Sequence, residues 1–533
     1  MNGSDRRGWT MLFFLPLVFF AAEWVLRAHG TPYWLWFNTD NYLYMLGGLH
    51  ILDGAPPAAF QHPGITLQMM VALDIWLSGG GTPGALSDAA FLQSEEIMTA
   101  VNTAMLALDA GALWLLGWVA WRRCGALTPA LLAQTAPFLS MLTLKFGIEV
   151  EPEPLLLFAV LVLGAAMIEE SAQPRGGALW VMGFAVAFGV ASKVTFAPLG
   201  LAPLILIGSW PRRWAYLWRT ALIFVVLMLP EARNLGPMWA WFSGVAAGSG
   251  GYGTGPRTVI DFARYPHDFI KLFFARTIFF LVFFASVAAL IWLRRAAGSA
   301  GEAGQSIPSG KATPAGRGLL AIAVAQLAQV ALVAKHPSGH YVLPALELSG
   351  PALAFLWLAL SAMPRFSPGR ASPWFGRAFA VVLALILGFQ SFAFARQDRE
   401  MRRESAGAKS IDMARDFPSC AHVYYFMASS PSQAWFYNSS YSGNRYAMRL
   451  KALLPTNEYF SVPWEDGLRD WDGKVEPAAL LQRYKCIALR SADPFGADGL
   501  AALFGHAFDK AARCQAGSET ILVEGARCPG IKP

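Results

Sequence analysis

The chain has 533 residues, of which 55% are hydrophobic and only 14% charged, with 20 tryptophans and a formal net charge of +7. Apolar runs of about 18 or more residues, the length a helix needs to cross a bilayer, recur along it and exclude an ordinary soluble protein. The positive charge stands as Arg pairs at the ends of those runs, as cytoplasmic anchors do, which argues against nucleic acid as a partner and for a lipid bilayer.

The first run, Trp9 to Leu26, follows Asp5-Arg6-Arg7. Glu23, Trp24 and Arg27 stand where a signal peptide would present small residues for cleavage, so the run predicts an uncleaved first transmembrane helix. The outer loop beyond it, 28–97, holds Asn38-Thr39-Asp40-Asn41-Tyr42-Leu43-Tyr44 and then Phe60-Gln61-His62-Pro63-Gly64. Asp40 is placed either to cap the amphipathic stretch 41–52 or to do chemistry beside the membrane. His62 either belongs to a capping segment, with Pro63 in a first helical turn, or donates to a phosphate. The run 65–78 is too short to span comfortably, and its Gln68 and Asp74 suit a helix lying at the interface.

Ten more runs, near 98–121, 127–144, 154–168, 177–192, 195–210, 215–230, 269–293, 317–334, 341–362 and 376–395, bring the predicted spans to eleven. With the N-terminus inside, every cytoplasmic connection carries Arg or Lys, from Arg122-Arg123 to Arg377. The opposite loops hold Glu149, Glu151 and Glu153, either a solvated acidic turn or an edge that binds a divalent metal or an acceptor facing Asp40. No Cys or His adjoins them, so a metal on Glu149 and Glu151 would be oxygen-bound.

Lys193 falls at the outer end of the fifth predicted span, where a lysine can also simply snorkel. Arg233, Arg257, Arg264, Lys271 and Arg276 break the charge asymmetry on the outer side, and Lys335-His336-Pro337-Ser338-Gly339-His340-Tyr341 opens the outer end of the tenth span. Together they predict a cationic outer pocket suited to a lipid phosphate.

The stretch 296–317, rich in Ala, Gly, Ser and Pro, reads as a flexible cytoplasmic linker. After 396 charges rise and no spanning run follows, dividing the chain into a membrane part, 1–396, and an outer α+β domain, 397–533. Four of the five cysteines, Cys420, Cys486, Cys514 and Cys528, lie in that domain and predict two disulfides, with three pairings open.

Five segments, in order and on one predicted side, resemble the GT-C superfamily of polyprenyl-phosphate-dependent glycosyltransferases, in the branch of protein O-mannosyltransferases and lipid A aminoarabinose transferase. They are Asp40-Asn41-Tyr42-Leu43-Tyr44, Phe60-Gln61-His62-Pro63-Gly64, Glu149-Val150-Glu151-Pro152-Glu153, Gly183 to Lys193, and His340-Tyr341-Val342-Leu343-Pro344. The resemblance covers roughly 9–395 and implies a polytopic α-helical membrane protein, GT-C-like, with about eleven transmembrane helices and a C-terminal α+β extracytoplasmic domain. It implies transfer of a sugar, with inversion, from a polyprenyl phosphate to a hydroxyl of a glycan, lipid or protein, on the outer face of a bacterial inner membrane.

Asp40 is then the expected catalytic base. His62, Glu149, Glu151, Lys193, Arg257, Arg264, His340 and Tyr341 are the expected substrate contacts. The loop 231–268, with Trp239, Trp241 and Tyr252, is the expected cover over the sugar. Gln61, His62 and His340 replace the Glu, Lys and Arg of the resembling family, which weakens any metal site and makes the phosphate grip pH-dependent. Two other readings are a polymerase or ligase acting on lipid diphosphate-linked glycans and a transporter or flippase. The latter predicts midplane charges and inverted repeats, whereas the candidate residues here lie at the outer edge.

Overall fold

The structure, a computed structural model, describes residues 8–35, 39–61, 63–79, 82–250, 253, 255–302, 313–361, 373–425, 429–454, 459–462, 467–492, 499, 502–505, 508 and 511–529. Among them seven helices are long and apolar enough to cross a membrane: Gly8–His29, Ser94–Cys124, Pro152–Ala172, Thr277–Arg295, Pro314–Val333, Gly339–Ser361 and Gly376–Asp416. An eighth span is formed if Trp210–Leu227 and Leu229–Ala247, bent by 74°, count together. Four of the eleven expected spans do not pass singly: 215–230 passes only within that bent pair, and three others do not pass at all. Residues 127–147 break into three short helices, Gly176–Ser192 is only 17 residues long, and Val194–Leu206 is short and runs as a 3-10 helix through Pro198 to Gly200. Proline and 3-10 turns shorten these elements, a feature that total hydropathy does not register.

The ends of Pro152–Ala172 separate the two charge types. Its C-terminal Glu169 and Glu170 pair with Arg123 and Arg212, two of the expected cytoplasmic anchors. Its N-terminal end carries Glu153, one turn beyond Glu149 and Glu151. The acidic loop therefore stands at the end of the bundle opposite the Arg pairs.

The expected outer loop forms the helices Thr39–Leu52, Ile65–Gly79 and Pro83–Leu92. The first was expected to be amphipathic at the interface, but residues 41–50 are all buried. One side packs on Ile65–Gly79, and the C-terminal domain covers another. Gln68, expected to face the interface, is fully buried and braces the turn before it. Its amide donates to the carbonyls of Ala59 and Pro63 at 3.0 and 3.1 Å, and its Oε1 accepts from the Ala59 N–H at 3.2 Å. A buried amide so satisfied costs little, which is why it sits on an otherwise apolar face.

The expected linker is partly helical: the helix from Thr277 continues to Glu302, while 303–312 lie outside the described residues. The last long helix, Pro373–Lys409, runs without a break past position 396 and carries the chain out of the membrane. Beyond it, among the described residues, seven strands form one mixed sheet: β1 (Ala421–Tyr425), β2 (Tyr459–Val462), β3 (Arg469–Asp470), β4 (Gly473–Lys474), β5 (Ile487–Ser491), β6 (Ala512–Ala516) and β7 (Glu519–Glu524). Their order is β4-β3-β2-β1-β5-β7-β6, with β1 parallel to both β2 and β5. Both expected disulfides form, Cys420–Cys486 and Cys514–Cys528. Arg490, buried in β5, donates to Glu519 at 2.6 Å and to the carbonyls of Ile411 and Ala408, fastening the sheet to the end of the long helix.

Candidate active site

Asp40 occupies the first turn of Thr39–Leu52. The next residue, Asn41, is fully buried and clasps the acidic loop. Its Nδ2 donates to Glu149 Oε2 at 3.1 Å, and its Oδ1 accepts from the Val150 N–H at 2.7 Å. Asn102, from the span Ser94–Cys124, holds the same loop by donating to the Gly147 carbonyl at 2.8 Å. Two buried amides thus bring the glutamates beside Asp40.

Lys193 arrives from a third direction. It ends the helix Gly176–Ser192 in extended conformation and forms an isolated antiparallel bridge with Pro63. The Gly64 N–H donates to the Ser192 carbonyl at 3.1 Å, and Thr66 and Ser192 hydroxyls meet at 2.6 Å. Gly64 has φ +57°, and a Cβ there would come within 2.5 Å of the Tyr44 ring, so this crossing requires glycine twice over. The lysine does not snorkel. Its Nζ donates to Glu153 Oε1 at 2.5 Å and lies 4.7 Å from the centre of the Tyr341 ring. His340 Nε2 is 3.8 Å from the same carboxylate oxygen, while its Nδ1 contacts Ser338 Oγ at 2.9 Å.

Asp40 is open to solvent, yet enough protein surrounds it to perturb its titration. Enclosure raises its pKa above the ordinary Asp value, Lys193 opposes that rise and Glu153 adds to it. Glu151 is raised further, by burial and then by Glu153, Asp40 and Glu149 around it. Glu149 is raised by burial, with Arg27 and the Asn41 hydrogen bond pulling the other way. Asp40 is therefore a carboxyl that holds its proton to higher pH than an ordinary aspartate.

A cavity of about 310 Å³ adjoins this cluster, lined by Arg264, Lys335, His336 and Tyr341, with Asp261 and Asp268. Tyr341 walls both it and the Lys193 ammonium. Asp261 accepts from the Ala263 N–H at 3.0 Å, and Asp268 faces His267 at 3.4 Å. Of the expected site residues, Asp40, Glu149, Glu151, Lys193, His340 and Tyr341 come together, and Arg264 stands across Tyr341. Arg257 is exposed and does not line the cavity. His62 and Tyr252 lie outside the described residues. Trp239, on the expected covering loop, is 76% exposed. Arg233, one of the cations that broke the charge asymmetry, donates to the Gly54 carbonyl at 3.3 Å.

Glu153 as the partner of Lys193 was not singled out from sequence. The signal was available: a lysine in Ala191-Ser192-Lys193-Val194 has no polar cover of its own and needs a buried counter-ion. The contribution of the C-terminal domain left no such trace. Trp435 wedges between Tyr42 and Phe91, with ring centroids 5.0 and 4.9 Å away. Tyr446 donates to Asp53 at 2.6 Å, and Arg449 forms a two-pronged bond to Asp88 at 2.5 and 2.6 Å. The domain thereby grips both ends of the helix that bears Asp40. Among the described residues no three His, Cys, Asp or Glu side chains converge as a metal site. With Glu149 held by Asn41 and Glu153 by Lys193, this carboxylate set does not fit one.

No family model and no curated protein matches the chain. Solved structures do. The crystal structure of ArnT from Cupriavidus metallidurans in the apo state aligns with a TM-score of 0.55 at 13% identity, covering 97% of this chain and 98% of that one. The same protein bound to undecaprenyl phosphate aligns at 0.53 and 12% identity over the same shares. Over nearly its whole length, the chain therefore has the fold of ArnT, the fold class its loop motifs resemble.

Proposed function

We propose that the chain is a membrane glycosyltransferase that moves a sugar from a polyprenyl-phosphate donor to an acceptor hydroxyl at the outer face of the bacterial inner membrane. The observation that carries this reading is the shared wall at Tyr341. On one side stand Asp40 and the Glu153–Lys193 pair; on the other is a cavity with the cations Arg264 and Lys335. Displacement of a phosphate calls for a base for the acceptor and cations for the leaving group, and Tyr341 borders both sets of residues. The fold adds support, since a protein that shares it binds undecaprenyl phosphate.

In this reading the acceptor oxygen attacks the anomeric carbon as its proton passes to Asp40. The bond from that carbon to the phosphate oxygen breaks, and its electron pair leaves with the phosphate. Arg264 and Lys335 receive the developing charge. Lys193, committed to Glu153, fixes the carboxylates and the Tyr341 ring and is a positioning residue. His340 shares that task. Glu151, its pKa raised by burial and by the carboxylates around it, holds its proton to higher pH than an ordinary glutamate.

The test is reconstitution in liposomes with synthetic polyprenyl monophosphate sugars, following release of polyprenyl phosphate. Consumption of diphosphate-linked glycans alone would overturn the reading in favour of a polymerase or ligase. Mass spectrometry of lipid that co-purifies with the protein checks the donor independently.

A further inference from the structure

The C-terminal domain holds a pocket of about 260 Å³ well apart from the Tyr341 wall in sequence and built from different elements. Its lining combines Phe436, Tyr437, Tyr441 and Trp471 with the polar groups of Asn444 and Asp470. Trp471 is held edge-on against Phe436, centroids 4.8 Å apart, so its ring is fixed. Tyr441 is 42% exposed at the rim.

Such a lining selects its ligand by chemistry. Aromatic faces accept the C–H faces of a sugar ring, and planar amide and carboxylate groups bond its hydroxyls. The volume admits one ring and excludes a lipid chain or a folded peptide. Arg469 lines the pocket against Asp470 and Asp472, and Asp472 is already paired with Lys451, so the pocket offers a phosphate no net positive charge.

Asn444 supplies a second observation. It is the one non-glycine with positive φ among the described residues, at +60°, directly after Gly443, also at +60°. Asparagine is the non-glycine residue that takes this conformation most readily, and the turn sets Asn444 in the pocket lining. The third observation is position. The helix Pro431–Ser439 lines the pocket with Phe436 and Tyr437, and its Trp435 packs on Tyr42, two residues from Asp40.

We propose that this pocket is a sugar-binding subsite for a pyranose or furanose ring of an acceptor glycan, an inference that rests on the glycosyltransferase reading above. It makes the acceptor a saccharide and the C-terminal domain the part that recognises it.

The experiment is saturation-transfer NMR on the full-length protein in nanodiscs, with free glucose, galactose, mannose and N-acetylglucosamine as probes. At least one sugar is expected to receive saturation. Tyr441→Ala and Asn444→Gly should each cut that signal at least tenfold, and Asp40→Asn should leave it. Asn444→Gly relieves the positive φ, so its melting temperature should not fall, which separates lost binding from lost folding. No signal with any of the four sugars, or an undiminished signal in either variant, overturns the proposal. If Asp40→Asn transfers sugar at the wild-type rate while the NMR signal behaves as expected, the glycosyltransferase assignment of Asp40 fails and the subsite stands.

Discussion

The Lys193 ammonium lies 2.5 Å from Glu153 Oε1, with the two side chains only 5% and 1% exposed. Neither charge has water to fall back on, so each depends on the other. Lys193→Met should therefore destabilise the protein by about 3–5 kcal/mol, because it strands a buried carboxylate. The double variant Lys193→Met/Glu153→Gln should recover much of that loss. Thermal unfolding of the purified single and double variants checks this; losses that simply add would show that the two residues are not coupled.

Asp40→Asn keeps the size and helix-capping ability of the side chain while removing its charge. Transfer should fall about 100- to 10,000-fold, the usual worth of a general base. Donor binding should persist. Wild-type transfer in Asp40→Asn would move the assignment of base to the glutamates of the second loop.

The raised pKa of Asp40 sets the acid side of the rate profile. A base works only when ionised, so activity should rise with pH through this group. The limb should lie above the unperturbed Asp value of about 3.9. Lys193→Met removes a charge that lowers the Asp40 pKa, and should move the limb to higher pH. Transfer measured across pH with a saturating donor gives both positions; a limb that stays put in Lys193→Met would sink the electrostatic link.

Trp435 touches no expected substrate, yet it packs on the helix that presents Asp40. Trp435→Ala should cost about 3–5 kcal/mol as a large-to-small core change. It should also lower kcat more than it raises the donor KM. Trp435→Phe should restore most of both. A Trp435→Ala enzyme with wild-type kcat would mean that the domain merely rests on the catalytic helix.

The two disulfides close segments of 66 and 14 residues. By the loop-entropy relation they stabilise the domain by about 4 and about 3 kcal/mol. Cys420→Ser/Cys486→Ser should therefore lower the melting temperature more than Cys514→Ser/Cys528→Ser. Four reactive thiols in protein isolated without reductant would exclude both bridges.

Some of this molecule was legible because local chemistry alone decides it. Long apolar runs must become helices in a bilayer, where an unpaired backbone group has no water to bond, and so the membrane class followed directly from Trp9–Leu26 and its successors. The clustering of four cysteines likewise announced disulfides, although not which ones. Asp40, Glu149, Glu151, Lys193, His340 and Tyr341 were recognisable as polar residues at the edges of those runs, where the bilayer gives no reason for them.

What they do to one another was decided only by the tertiary structure. Asn41 looks like a neighbour of Asp40 until its amide is seen holding a loop more than a hundred residues away. Lys193 reads as a snorkelling cation until Pro63 and Gly64 bury it against Glu153. The same applies to span length, since Pro198 and the breaks in 127–147 shorten helices whose summed hydropathy is unchanged. Hydropathy is a property of single residues, whereas a pKa, an ion pair and the wedge of Trp435 against Tyr42 depend on distances between residues far apart in the chain. Only the packed chain sets those distances.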